Sequence, residues 1–150
     1  MIVIIVIILI FLSPPGVFRA HNDFEHQTSF KCGDVIVDCR TEYYFSIESD
    51  NRDVIWIVGS VEVDNNSKDA IMIGFPSIVL WQDSSWIGHA ESYYDQLRKG
   101  SIIAAGDKRS FYIYWLMSSK KFNESPKTLR FEYDCEDLQT CDMPENYWMY

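Results

Sequence analysis

Histidine occurs only three times in this 150-residue chain, at His21, His26 and His89, and the motifs that build catalytic or cofactor sites are missing. There is no Gly-x-Ser-x-Gly elbow, no glycine-rich phosphate loop, no His-Glu-x-x-His and no Cys-x-x-Cys pair. The sequence therefore carries no signature of a serine hydrolase, a nucleotide-binding enzyme, a zinc protease or a dithiol redox protein, and no cofactor is expected. Lysine and arginine are also scarce, 13 against 22 Asp and Glu, and none follows Arg130. A formal net charge of -9 repels nucleic acid and anionic lipid. Finally, no apolar run is long enough to span a bilayer: the longest, Ile2 to Leu12, has 11 residues, where about 20 are needed for about 30 Å of hydrocarbon.

That short run has another use. It is followed by "SPPG" and "VFRA", the layout of a secretory signal peptide whose apolar region is typically about 7 to 15 residues long. Residues 1–20 are expected to be a leader cut after Ala20, leaving residues 21–150 as one secreted domain. Two features depart from the usual pattern: no Lys or Arg precedes the run, and Phe18 stands where a small residue is preferred. Removing Arg19 makes the remaining chain one charge more negative.

Cysteine usage agrees with export. Cys32, Cys39, Cys135 and Cys141 form an even set, for which two disulfides are expected and three pairings are possible. A bridge joining the early pair to the late pair gains most, because closing a loop of about 100 residues removes roughly 4 to 5 kcal/mol of unfolded-state entropy in the simple model. The local pairing, 32 with 39 and 135 with 141, stays open. Asn65 in "NNS" and Asn123 in "NES" are glycosylation sequons in polar, turn-like stretches, the second followed by Pro126.

The domain reads as all-β. Aromatics make up 15% of the chain, and with many β-branched residues they suit a pleated, half-buried surface. "YYFSIES" alternates Tyr43, Phe45 and Ile47 with Tyr44, Ser46 and Glu48. "DVIWIVGSVEVD" continues the alternation, with Gly59 placed for a bulge between Ile55/Ile57 and Val61/Val63. "NNSKD", Pro76 and "GDKR" read as turns separating "AIMIGF", "SIVLWQD" and "SFYIYWLMS", a run of consecutive antiparallel strands. In "SFYIYWLMS" both faces are apolar, which predicts a central strand or one whose second face meets a partner. "TLRFEYDC" closes the set, with Leu129, Phe131 and Tyr133 inward. Ala90, Tyr93, Tyr94 and Leu97, followed by Arg98, Lys99 and Gly100, predict one short helix. About eight strands and one helix point to an antiparallel β-sandwich.

Candidate chemistry is thin. "HNDFEH" places two imidazoles and two carboxylates within six residues, a conceivable metal site, but a stretch next to a new N-terminus is more often mobile and polar. His89 stands near Ser84, Ser85 and Glu91 without the geometry that defines a triad, and no enzyme activity is expected. Charge is more informative. Acids cluster at Glu48, Asp50 and Asp53, at Glu62, Asp64 and Asp69, and in the tail from Glu132 onward. The tail mixes Glu132, Asp134, Glu136 and Asp137 with Phe131, Tyr133, Tyr147, Trp148 and Tyr150, so Glu132, Tyr133, Asp134, Glu136 and Asp137 are the expected contact residues for a basic protein. The competing expectation is that Phe131 and Tyr133 simply end a core strand.

Three stretches, "DVIWIVGSVEV", "FPSIVLWQDSSWIGHAESYYDQLRKG" and "KRSFYIYWL", resemble the stand-alone relatives of the SECRET domain, the chemokine-binding domain at the C-terminus of poxvirus tumour-necrosis-factor receptor homologues. The resemblance implies an antiparallel β-sandwich and an immune-evasion role: capture of host chemokines, which are small and basic, by stoichiometric binding. It carries over no contact residue. Masking of a host cell-surface immune receptor is the alternative within the same class, and a secreted hydrolase is the alternative of another class.

Overall fold

The computed structural model describes residues 18–21, 24–47, 54–92 and 100–143. Within them the chain forms β1 (Phe18–His21), β2 (His26–Cys32), β3 (Val35–Ile47), β4 (Val54–Asn65), β5 (Ala70–Ile73) and β6 (Val79–Gln82). It continues with β7 (Ser85–His89), β8 (Glu91–Ser92), β9 (Ser101–Ile103), β10 (Lys108–Ser118), β11 (Leu129–Glu132) and β12 (Gln139–Cys141). All pairings are antiparallel, in three sheets. The large sheet has the order β1–β3–β4–β10–β8, with β2 also on β3, and the two small ones have the orders β11–β6–β7 and β12–β5–β9.

The all-β expectation holds, but the neighbour relations differ from a simple run of hairpins. β4, β5 and β6 follow one another in sequence and lie in three different sheets. Pro76 marks the transfer from β5 to β6: it lies in a 3-10 turn, Phe75–Ser77, anchored by fully buried Phe75. The expected helix falls mostly on residues 93–99, outside the described residues. Its described start, Glu91–Ser92, is instead strand β8, paired with Tyr114 and Ile113. The expected leader lies outside the described residues up to residue 17, and its last three residues, Phe18–Ala20, pair with Ile47, Ser46 and Phe45 of β3.

Alternation makes the central strands. In β4, Ile55, Ile57, Val61 and Val63 are buried on one face, and in β10, Ile113, Trp115 and Met117 do the same. The bulge expected at Gly59 is found across the ladder, on β3, where the register shifts between Thr41 and Tyr43 so that Glu42 is the extra residue. An extra residue reverses which face each following side chain takes. Val35, Val37, Cys39 and Thr41 therefore point inward before the bulge and Tyr44 after it, which sends Tyr43 and Phe45 to the outer face. Gly59 has a different job. A Cβ built on it would lie 2.1 Å from the Arg40 carbonyl oxygen and 3.0 Å from Cζ3 of Trp115, so only glycine lets the indole and the neighbouring strand come this close.

The core lies between the inner face of the large sheet and the two small sheets. Trp115 of β10 meets Phe131 of β11 at 5.6 Å between ring centres and donates its indole N–H to the Ile78 carbonyl at 3.3 Å. Phe75 meets Phe111 at 5.2 Å. Asn65, fully buried at the end of β4, ties the large sheet to the β9 end: its Nδ2 donates to the carbonyls of Asp69, Ile103 and Ala104 at 2.9, 3.1 and 2.9 Å.

Candidate functional site

The expected contact stretch near the C-terminus is split by burial. Tyr133 is buried against Phe30, 5.8 Å between ring centres. Its hydroxyl is pushed well above the ordinary phenol value, first by burial and then by Asp137. Phe131 is buried as well. Both rings end a core strand, so Tyr133 is not a surface residue, contrary to the expectation that it meets a partner. The four carboxylates do face solvent. Glu132 pairs with Arg130 at 3.3 Å, Asp134 caps the 3-10 turn Cys135–Asp137 by accepting from the Glu136 N–H at 2.9 Å, and Glu136 and Asp137 lie in that turn. Glu145, Tyr147, Trp148 and Tyr150 lie outside the described residues.

The cysteines make one bridge where two were expected. Cys32 and Cys135 are bonded across 103 residues with Cα atoms 5.3 Å apart, which joins the early pair to the late pair. Cys39 and Cys141 are free thiols. The reason is placement: Cys39 points into the core between Thr28 and Val61 of its neighbour strands, whereas Cys141 pairs with Ala70 at the edge of a small sheet. Burial, helped by Asp38, pushes the Cys39 thiol up to about 12.

The two sequons also part company. Asn65 is not an accessible acceptor, because its amide is fully buried, its Nδ2 holds three carbonyls, and its Oδ1 accepts from the Ser67 N–H and hydroxyl at 3.1 and 2.6 Å. Asn123 is exposed, with Nδ2 3.3 Å from Asp83 Oδ2 and Oδ1 accepting from the Ser125 N–H.

The side chains of His26 and His89 join no common site; the side chain of His21, and residues 22 and 23 of "HNDFEH", lie outside what the structure describes. His26 stacks on Phe131 at 5.7 Å and hydrogen-bonds the Thr28 hydroxyl at 3.2 Å. His89 is exposed on β7, with Nδ1 2.6 Å from the Pro76 carbonyl and its ring edge-on to Trp86. Among the described residues no group of three or more His, Cys, Asp or Glu could hold a metal ion, and no helix is long and apolar enough to cross a membrane. A depression of about 430 Å³ opens beside Glu25, His26, Tyr44, Glu124 and Leu129.

The feature that combines apolar area with charge is the outer face of the large sheet. Cross-strand register arranges it in rows. One row is Phe45–Trp56–Leu116 and the next is Tyr43–Val58–Tyr114. Phe45 stacks on Trp56 at 5.8 Å with planes 7° apart, and Trp56 meets Tyr114 at 4.8 Å. Tyr112, 58% exposed, and Leu116, 37% exposed, stand in solvent on the same face of β10. The Tyr43 hydroxyl is raised by burial, then by Glu42 and Tyr112. Farther along the strands come Asp38 opposite Glu62, and Asp64 opposite Lys108. Glu62 contacts Lys108 at 2.7 Å, which lowers the carboxyl and raises the amine. Glu42 accepts from Ser60 at 3.1 Å and Glu91 from the Tyr114 hydroxyl at 3.0 Å.

The signal for this face is present in the sequence: "SFYIYWLMS" is apolar on both sides. What hides the β3 contribution is the Glu42 bulge, which no residue type announces. Comparison with protein-family models, curated proteins and solved structures finds no match to this chain.

Proposed function

We propose that the protein is a secreted, non-enzymatic binder that sequesters a basic host protein, a chemokine in the first instance, by forming a stoichiometric complex that masks the ligand's own binding surface. The observation that carries this reading is a single sheet face that holds exposed Tyr112 and Leu116 together with the carboxylates Asp38, Glu62 and Asp64 farther along its strands. Rings supply buried area and carboxylates supply steering toward a cationic surface, the two things an interface with a basic protein needs. The net charge of -9 favours such an encounter over the whole molecule. The Cys32–Cys135 bridge suits an oxidising, extracellular setting. The all-β architecture, with its core between the large sheet and the small ones, is compatible with the sandwich that the SECRET-domain resemblance implies.

The test is a binding screen of the purified protein against a panel of chemokines and other small basic secreted proteins at two ionic strengths. Binding that weakens steeply with salt supports the reading. Silence across the panel overturns it, and binding indifferent to salt points instead to a larger apolar contact with a cell-surface receptor.

A further inference from the structure

We infer that the outer face of the small sheet β11–β6–β7 is a carbohydrate site: it stacks a neutral pyranose of the galactose type on Trp86 and hydrogen-bonds its hydroxyls through His89, Arg130 and Glu132. The site lies on a different sheet from the face proposed for the basic partner and does not depend on that partner.

A bulge builds the site. β6 pairs Val79 with His89 and Leu80 with Gly88, and then Trp81 with Trp86, so Ile87 is the extra residue. Ile87 is buried, while Trp86, 50% exposed, and His89 both stand on the outer face with ring centres 5.3 Å apart. Regular strand alternation would put residues three positions apart on opposite faces; the bulge brings these two together. Across the sheet the register gives two rows, Arg130–Trp81–Trp86 and Glu132–Val79–His89.

The polar groups around the indoles are held in place. The His89 Nδ1 lies 2.6 Å from the Pro76 carbonyl. That oxygen only accepts, so Nδ1 carries the hydrogen and, in the neutral ring, Nε2 is left as an acceptor beside Trp86. Arg130 lies 5.1 Å over the Trp81 ring and 3.3 Å from Glu132, with both charged side chains 57% exposed. The pair offers a fork of donors and a carboxylate acceptor. The indole N–H of Trp81 is buried and has no acceptor among the described residues, a donor that a ligand hydroxyl can satisfy.

Size and charge select the ligand. Strands of about four residues at about 3.3 Å each, three abreast at about 4.8 Å, make a face of roughly 190 Å². That is far below the about 800 Å² that each partner contributes to a specific protein complex, and Val79 is the only aliphatic side chain in the two rows. A pyranose fits such a platform. It carries C–H bonds on a face of the ring and hydroxyls around the rim, so an exposed indole takes the face while fixed donors and acceptors take the rim. In a galactose ring the hydrogens gather on one face, which suits a single exposed indole. The Arg130–Glu132 pair leaves the platform without net charge, and the -9 of the whole chain opposes a sulfated or sialylated saccharide. Weak binding to a repeated surface glycan would hold the protein near cells; that consequence, unlike the site, rests on the reading of the protein as secreted.

The test titrates the purified protein with lactose and with sialyllactose, read by saturation-transfer NMR and tryptophan fluorescence. Lactose is expected to bind, with transfer strongest at the hydrogens of its galactose ring, and sialyllactose to bind severalfold more weakly. Trp86→Ala is expected to weaken lactose binding about tenfold or more, and His89→Ala severalfold. Met72→Ala, an exposed residue on the other small sheet, is expected to leave it unchanged. Unchanged urea midpoints check that the variants fold. A desialylated glycoprotein with terminal galactose separates the two sources of the sugar: capture that galactosidase treatment abolishes assigns the site to glycans, and lactose binding without capture assigns it to a free saccharide. Absence of transfer to lactose overturns the inference, as does equal binding by wild type and Trp86→Ala or tighter binding of sialyllactose. Capture that survives galactosidase makes the platform a protein contact and overturns it too. None of these outcomes bears on the basic partner, which the chemokine panel tests separately.

Discussion

Trp115 lies directly over Gly59, with a hypothetical Gly59 Cβ only 3.0 Å from Cζ3 of the indole and 2.1 Å from the Arg40 carbonyl oxygen. The close approach joins three strands: Gly59 pairs with Thr41 on one side and Ile113 on the other. Neither obstacle yields easily, since one is ladder backbone and the other a fully buried indole. Gly59→Ala is therefore expected to destabilise the domain by about 2 to 3 kcal/mol through overpacking, read as a lower urea midpoint at unchanged slope. A variant as stable as wild type would show that this contact can relax.

The thiol arrangement makes a count that chemistry can check. With Cys32 bonded to Cys135, a maleimide applied to the native, unreduced protein is expected to label one cysteine, Cys141, because Cys39 is fully buried and its thiol is pushed up to about 12. Unfolding without reductant is expected to expose a second. Peptide mapping that finds no free thiol would mean that Cys39 and Cys141 are bonded after all.

Breaking the bridge tests its energetic role. Replacing Cys32 and Cys135 together by Ser is expected to lower stability by roughly 4 kcal/mol, since the loop closed is 103 residues long. The measurement is chemical unfolding of both proteins. A change below about 1 kcal/mol would mean that the unfolded chain is already compact around this closure.

Much of this fold is legible because burial imposes a period. Strands β4, β10 and β11 alternate clearly, and their inward sets, Ile55/Ile57/Val61/Val63, Ile113/Trp115/Met117 and Phe131, with Tyr133 just past the end of β11, are buried as the pattern implies. β2 is harder to read: its inward set is His26, Thr28, Phe30 and Cys32, a mixture that blurs the apolar signal. β7, "SWIGH", is short and held by pairing with β6. Which sheet each strand joins depends on contacts distant in sequence, as with β12 on β5, and no local pattern encodes those. The outer face proposed for binding is partly legible in the double-sided apolarity of β10. Its β3 half depends on a single extra residue, Glu42, that reverses the faces of Tyr43, Tyr44 and Phe45. The tail suggested a site because charge and rings alternate there, but in folded form its described rings go to the core.

Asn65 exchanges one role for another. Its Nδ2 holds the carbonyls of Asp69, Ile103 and Ala104 at the junction of β4, β5 and β9. Asn65→Ala leaves buried acceptors without donors and is expected to cost about 3 kcal/mol, read by thermal or chemical unfolding. In a glycosylating host, the wild-type chain is expected to carry no glycan at Asn65, which mass spectrometry of the tryptic peptide would check. A glycan on that residue would require this junction to be open.

His26 gives the fold a pH dependence of known sign. Its ring is stacked on Phe131 and partly desolvated, and burial lowers its pKa from the ordinary 6.5. Folded protein then resists a proton that the unfolded chain accepts. Above pH 6.5 both states are neutral at this residue and the full stability is present; as pH falls from 6.5 toward the lower folded value, the unfolded state binds more protons and stability declines. Other groups titrating in the same range would add to the total, so the comparison is with His26→Phe, which keeps an aromatic ring on Phe131 and removes the titration. The difference in urea midpoint between wild type and His26→Phe is expected to move in favour of the variant between pH 7 and pH 5. A difference that stays constant across that interval would mean that the ring is hydrated in the folded protein.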